Sequence, residues 1–444
     1  MKPWYLSDNG HEKATAMLRR GMARYPIDPD AFCGTPEGCN PLTLAVDPDL
    51  KGYRIFVSPY DADADRQEIR LTARDDVTLL YAAADFCNYY LPFARDAGEH
   101  CPTYYLLPLF TAPMKPCDYL SACRVRKRGI WTWGHVICDY KRLIQNMAEL
   151  KLNLLTVWDD YPPANIRDVI DYAHDYGIAV YLGYPWGWDV QCSTADLSDL
   201  NAMSDGIVEV YNRQYRGIGF DGIYFQSFTE LKEDRIGGML VAEKVVELVN
   251  RTAGILLAQE PALQLQFGLH ADSVKTHLDI IAGTDRRVEI VWEDVGAFPY
   301  QYMPQNTAGF NETLALHQTL RTLRPGGGFG AVFKGVICLD WSTFRHQTGP
   351  ITIPAGKTAP VIPAFKREIL RIMQAYWMKN CGCAQRMLQA CGPEDSISCL
   401  VEDGYLESAV NFPTALYAQM LWDGTAETGD ILAAVAQRPD VTFF

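Results

Sequence analysis

Acids and indoles gather at the ends of short apolar runs in this sequence. Trp133 and His135 close one run, Trp158-Asp159-Asp160-Tyr161 the next, and Pro185-Trp186-Gly187-Trp188-Asp189 a third. Then come Gln226-Ser227-Phe228-Thr229-Glu230, His270 with Asp272, Trp292-Glu293-Asp294, and Asp340-Trp341. Side chains of these types could cleave a glycosidic bond: one carboxylic acid protonates the leaving oxygen, and a second carboxylate attacks or activates water. Indoles would offer flat apolar faces to sugar rings. Glu230 is the leading candidate for the acid, because its polar tip interrupts an apolar run. Asp294, Glu293 and Asp340 are the candidates for its partner carboxylate. Arg128, Trp133, His135, Trp158, Asp159, Asp160, Trp186, Trp188, Gln226, His270, Trp292 and Trp341 are the candidates for holding the substrate. Burial among Trp292, Trp186 and Phe228 would keep Glu230 protonated near neutral pH, as a general acid requires.

Plainer roles compete for each of these residues. Asp159, Asp189 and Asp272 suit helix N-caps equally well. A lone Trp is more often core than platform, and Arg128 suits a core carboxylate as well as a sugar hydroxyl. Capping, however, predicts Asp or Ser after a strand and does not predict Trp at five of seven ends.

The elements that must position these residues form a repeating pattern. From Arg128 onward, strand, polar tip and helix alternate, which is the signature of parallel βαβ units. Strands are predicted at Gly129–Val136, Leu152–Trp158, Ala179–Tyr184, Gly222–Gln226, Leu265–Leu269, Val288–Trp292 and Gly335–Leu339. Helices at Tyr140–Lys151, Ile166–Tyr176 and Met239–Leu257 show apolar residues at three- and four-residue spacing. Seven such units fit a TIM (β/α)8 barrel, with the eighth strand unlocated, and a barrel puts its active site at the C-terminal strand ends. No G-x-G-x-x-G follows any strand, and Gly326-Gly327-Gly328 reads as a helix end and turn. Ahead of the barrel, residues 1–120 read as a small α+β domain, with strands at Tyr53–Val57 and Glu68–Thr72 and a helix from Asp76. The expected division is 1–120, then the barrel at 121–350, then helices at 351–444 that close or buttress it.

Composition bounds the function. With 48% hydrophobic and 21% charged residues the 444-residue chain is globular, and its net charge of −14 argues against a nucleic-acid partner. Ten Trp and 24 Tyr suit both packing and sugar stacking. The thirteen Cys lack zinc-site spacing, so they read as mostly reduced, buried thiols, and no metal or cofactor is expected. No run reaches the roughly 20 apolar residues of a membrane span, and the N-terminus shows no signal-peptide pattern. A cytoplasmic enzyme acting on an oligosaccharide or glycoside is the simplest reading, with no membrane partner; a secreted form and a homo-oligomer stay open.

Arg128-Gly129, Met147 to Asn153, and Tyr172 to Ile178 resemble the opening barrel units of family 20 β-N-acetylhexosaminidases and family 67 α-glucuronidases, over about residues 40 to 345. The resemblance implies a small α+β domain before a catalytic barrel. Hexosaminidases carry Asp-Glu at the fourth strand, where this chain has Thr229-Glu230. The α-glucuronidase tip ends in Ser-Glu, which is closer. Either family would make Glu230 the acid, and the hexosaminidase pattern would make Arg128 a sugar ligand. The α-glucuronidase base would fall near Phe298, so Glu293, Asp294 or Asp340 would have to replace it. The missing base and the missing Asp at 229 also fit a non-catalytic sugar-binding protein on a decayed hydrolase barrel.

Overall fold

Sequence-distant segments combine in both units of the chain. A computed structural model describes residues 1–95, 108–159, 161–187, 195–293, 307–333, 361–401 and 405–444. One unit comprises Met1–Arg124, Asn146–Lys151 and Ala418–Thr442; the other comprises Val125–Gln145, Leu152–Tyr417 and Phe443–Phe444.

The first unit is built on a five-stranded sheet in the order Trp4–Ser7, Asn40–Val46, Ile69–Ala73, Tyr53–Val57, Cys117–Ser121. Alternate residues of Tyr53–Val57 and Ile69–Ala73 are buried, the period of two that one covered face imposes. The helix Asp76–Asp85 starts where the Asp75 side chain accepts the Thr78 N–H at 2.7 Å. Charge is buried here as well. Lys151 Nζ lies 2.8 and 2.7 Å from the two Asp85 carboxylate oxygens and 5.0 Å from the centre of a Trp422 ring. Lys151 holds φ at +61°, a region L-residues seldom occupy. Among the described residues Cys33 and Cys39 are joined in a disulfide, the exception to the reduced thiols expected; Cys87, Cys381, Cys391 and Cys399 are buried outside any disulfide.

The second unit is a closed barrel of eight parallel strands. In chain order they are Lys127–Trp133, Leu154–Trp158, Ala179–Gly183, Gly222–Gln226, Gln264–Leu269, Val288–Trp292, Phe329–Phe333 and Ser396–Leu400. Several are buried on both faces, as strands must be when they line a core on one side and meet helices on the other. The eighth strand pairs Leu400 with Trp131 and so closes the sheet on the first.

Two features differ from the expected layout. The seventh strand is Phe329–Phe333, directly after the glycine turn, and not Gly335–Leu339, which falls outside the described residues. Gly330 allows its close pairing, since a Cβ there would stand 2.6 Å from the Ser396 carbonyl oxygen. The eighth strand, Ser396–Leu400, lies in the stretch read as helical, because Ser396 and Ser398 interrupt its apolar residues Ile397, Cys399 and Leu400.

Near the C-terminal strand ends the barrel interior is filled by Trp131, Trp158, Tyr224, Val291, Val332 and Leu400. At the opposite end Gln266 Nε2 donates to Glu289 Oε2 at 2.7 Å, and burial pushes the Glu289 carboxyl up. No helix among the described residues is long and apolar enough to cross a membrane.

Candidate active site

Strand alternation decides which side chains enter the barrel mouth. On the fourth strand Tyr224 and Gln226 point inward; on the sixth, Val291 and then Glu293 follow the same face. Glu293 is the first residue past its strand, and its side chain is only 4% exposed. Such a buried carboxylate requires partners, and among the described residues Tyr224, Gln226 and His270 stand against it. Tyr224 Oη donates to Glu293 Oε1 at 2.5 Å. Gln226 Nε2 donates to Oε1 and Oε2 at 2.6 and 2.7 Å. His270 Nε2, just past the fifth strand, is 3.0 Å from Oε2.

The same imidazole nitrogen lies 3.6 Å from Oε1 of Glu230, which ends a short 3₁₀ turn, Phe228–Glu230, after the fourth strand. Glu230 and Glu293 thus approach the same histidine nitrogen. Their nearest oxygens can be no farther apart than the sum of those two distances. Gly268 makes the arrangement fit: a Cβ on that residue would collide with Glu293 Oε1 and with Tyr224 Oη.

Indoles stand beside this cluster. Trp131 stacks on Trp158 with ring centres 5.9 Å apart, and Trp133 meets Trp131 edge-on at 5.3 Å. Tyr224 ties the two groups together, its ring 6.2 Å from Trp131 and 6.3 Å from Trp158. Trp133 is partly exposed, and His135 is exposed with its ring 5.7 Å from that of Trp133. Asp159 comes close to Gly134, on the neighbouring first strand end, and leaves no room for a Cβ there. It does not cap the following helix, whose N-cap is Asn165.

No family model matches the sequence, and no curated protein sequence matches it. Solved structures do. A GH20 exo-β-N-acetylglucosaminidase from Vibrio harveyi, in complex with N-acetylglucosamine, aligns with 98% of this chain and 73% of its own, at 11% identity and a TM-score of 0.50. The structure of CpGH84D aligns with 97% of this chain and 67% of its own, at 9% identity and a TM-score of 0.48. The chain has the fold of glycoside hydrolase (β/α)8 barrels.

Of the residues singled out in the sequence, Glu230, Glu293, Gln226 and His270 converge, with Trp133 and Trp158 on the adjoining inner wall. Three others lie elsewhere. Trp186 is fully buried with its face 3.6 Å from Phe225, which alternates with Tyr224 and Gln226 and so faces away from the barrel axis. Trp292, between inward-facing Val291 and Glu293, also turns outward, its ring 5.9 Å from His317 on the helix Thr307–Thr322. Arg128 belongs to the start of its strand, the wrong end for a substrate. Its Nη1 donates to the carbonyls of Val125 and Arg126 at 2.6 and 2.9 Å. The enclosing role expected of Trp186 and Trp292 therefore falls away: Glu230 is 27% exposed, and deep burial belongs to Glu293. Asp160, Trp188, Asp294, Asp340 and Trp341 lie outside the described residues.

Tyr224 and Trp131 were missed in the sequence. Both sit two residues before a chosen residue on the same strand, so the period of two was the available signal.

Proposed function

We propose that this chain hydrolyses an O-glycosidic bond, with Glu230 as general acid and Glu293 as the partner carboxylate. The observation that carries the reading is the pair of carboxylates gathered at the barrel mouth around His270. Gln226 Nε2 can only donate, and it reaches both Glu293 oxygens, so both act as acceptors, as in an ionised carboxylate. Glu230, with part of its surface open, is the group left to deliver a proton. The bound on their spacing accommodates the roughly 5–5.5 Å of retaining enzymes. The substrate is an oligosaccharide or simple glycoside. Glucuronides and N-acetylhexosaminides are the first to try, on the sequence resemblance and on the fold shared with an N-acetylglucosaminidase.

The test is turnover of a panel of chromogenic glycosides. Glu230→Gln should lower turnover of an unactivated substrate at least about a hundredfold; unchanged turnover would remove the assignment. A second reading, a sugar-binding protein without turnover, is favoured by one observation: both Glu293 oxygens are already occupied by side chains. It predicts saturable binding of a glycoside that the wild-type protein never cleaves.

A further inference from the structure

Gln226 has one half of its amide engaged and the other half unengaged. Its Nε2 is committed to Glu293, while among the described residues its Oε1 has no hydrogen-bond partner. The residue is 9% exposed and stands at the C-terminal end of the fourth strand. Its backbone is fixed as well, the carbonyl accepting the Trp186 N–H at 2.8 Å. The amide cannot turn over. Reversing it would break both bonds to Glu293 and set Oε1 against two carboxylate oxygens. An acceptor with a locked direction, on a residue so little exposed, is selective once met.

We infer that Gln226 is a specificity-determining residue, whose Oε1 accepts a hydrogen bond from a donor on the sugar held beside Glu293. This rests on the reading of the mouth as a sugar pocket and adds to it the chemistry required at one position: a free hydroxyl or an amine, and not a deoxy or O-alkylated carbon. A site built around such a bond rejects ligands that lack the donor far more strongly than an apolar pocket rejects a missing methylene.

The test is binding, read by tryptophan fluorescence and calorimetry on the full chain, and needs no turnover. The probes are methyl pyranosides of glucose, galactose and mannose, their monodeoxy and mono-O-methyl analogues, and the 2-amino and 2-acetamido counterparts. For the parent sugar that binds, removing the donor at one carbon should weaken binding by at least about a hundredfold. The amino analogues tell whether a hydroxyl or an amine is the source. Gln226→Met, which has no donor and only a weak thioether acceptor, should lose most of that discrimination. Gln226→Glu keeps an acceptor, and a proton shared with Glu293 replaces the amide donor, so it should retain the discrimination. Equal losses in both variants would mean that Gln226 only supports Glu293, and retained discrimination in Gln226→Met would equally overturn the inference; either result leaves the hydrolase reading standing. Failure of every parent sugar to bind would remove both.

Discussion

Gln226 directs its amide nitrogen at both carboxylate oxygens of Glu293, at 2.6 and 2.7 Å. That relationship holds Glu293 as an acceptor, which on the proposed reading leaves proton delivery to Glu230, and several outcomes follow from it and from the surrounding packing.

Glu293→Gln should abolish most turnover, by at least about a hundredfold, while the protein stays folded, because the amide still fills the same volume. Glu289→Gln is the control. Glu289 lies on the same strand at the other end of the barrel, where residues serve stability, so turnover should stay within about twofold of wild type. Steady-state kinetics on both variants checks this, and equal losses would count against the site.

The stereochemistry of the product should be retained. Proton NMR of the first anomer released from a cleaved glycoside reads it directly, and an inverted first product would place the partner carboxylate elsewhere.

Gly268→Ala should crowd Glu293 against Tyr224, since the added methyl occupies their meeting point. The expected cost is about 1–3 kcal/mol in urea unfolding, with a larger proportional loss of turnover than Gly254→Ala, where a Cβ has open space.

Burial, reinforced by the charge of Arg321, pushes His317 down to about 4. Its pKa in the folded chain lies below the unfolded value of about 6.5, so the neutral form favours folding. That contribution is whole above about pH 6.5 and declines as pH falls towards about 4, by on the order of 3 kcal/mol. Denaturant titrations at steps across that window should show a slope that His317→Phe removes; an unchanged slope would assign it to other groups.

Lys151→Met should destabilise the first unit by about 3–5 kcal/mol, because it strands the Asp85 carboxylate in the core. The double variant with Asp85→Asn should recover much of that loss. Additive effects in the cycle would show that the pair is not coupled.

Much of the architecture was legible in the sequence because the barrel repeats a local pattern. Gly222–Gln226 and Val288–Trp292 could be read to the residue, since continuous apolar runs bounded by turns mark strands buried on both faces. The seventh strand was set one apolar run too late, because Phe329–Phe333 contains Gly330 and follows three glycines, all signals that locally favour a turn. The eighth was hidden by its inward serines.

The sequence by itself determined that acids and indoles would stand at strand ends, because strand direction and the period of two are local properties of the chain. It could not sort them. Trp186 and Trp292 carry the same side chain as Trp158, yet only alternation around a closed barrel decides which face a ring joins. The convergence of Glu230 and Glu293 on His270 is likewise a tertiary fact: the three residues leave neighbouring strands separated by long stretches of chain, and only strand register brings the two carboxylates to 3.6 and 3.0 Å from one imidazole nitrogen.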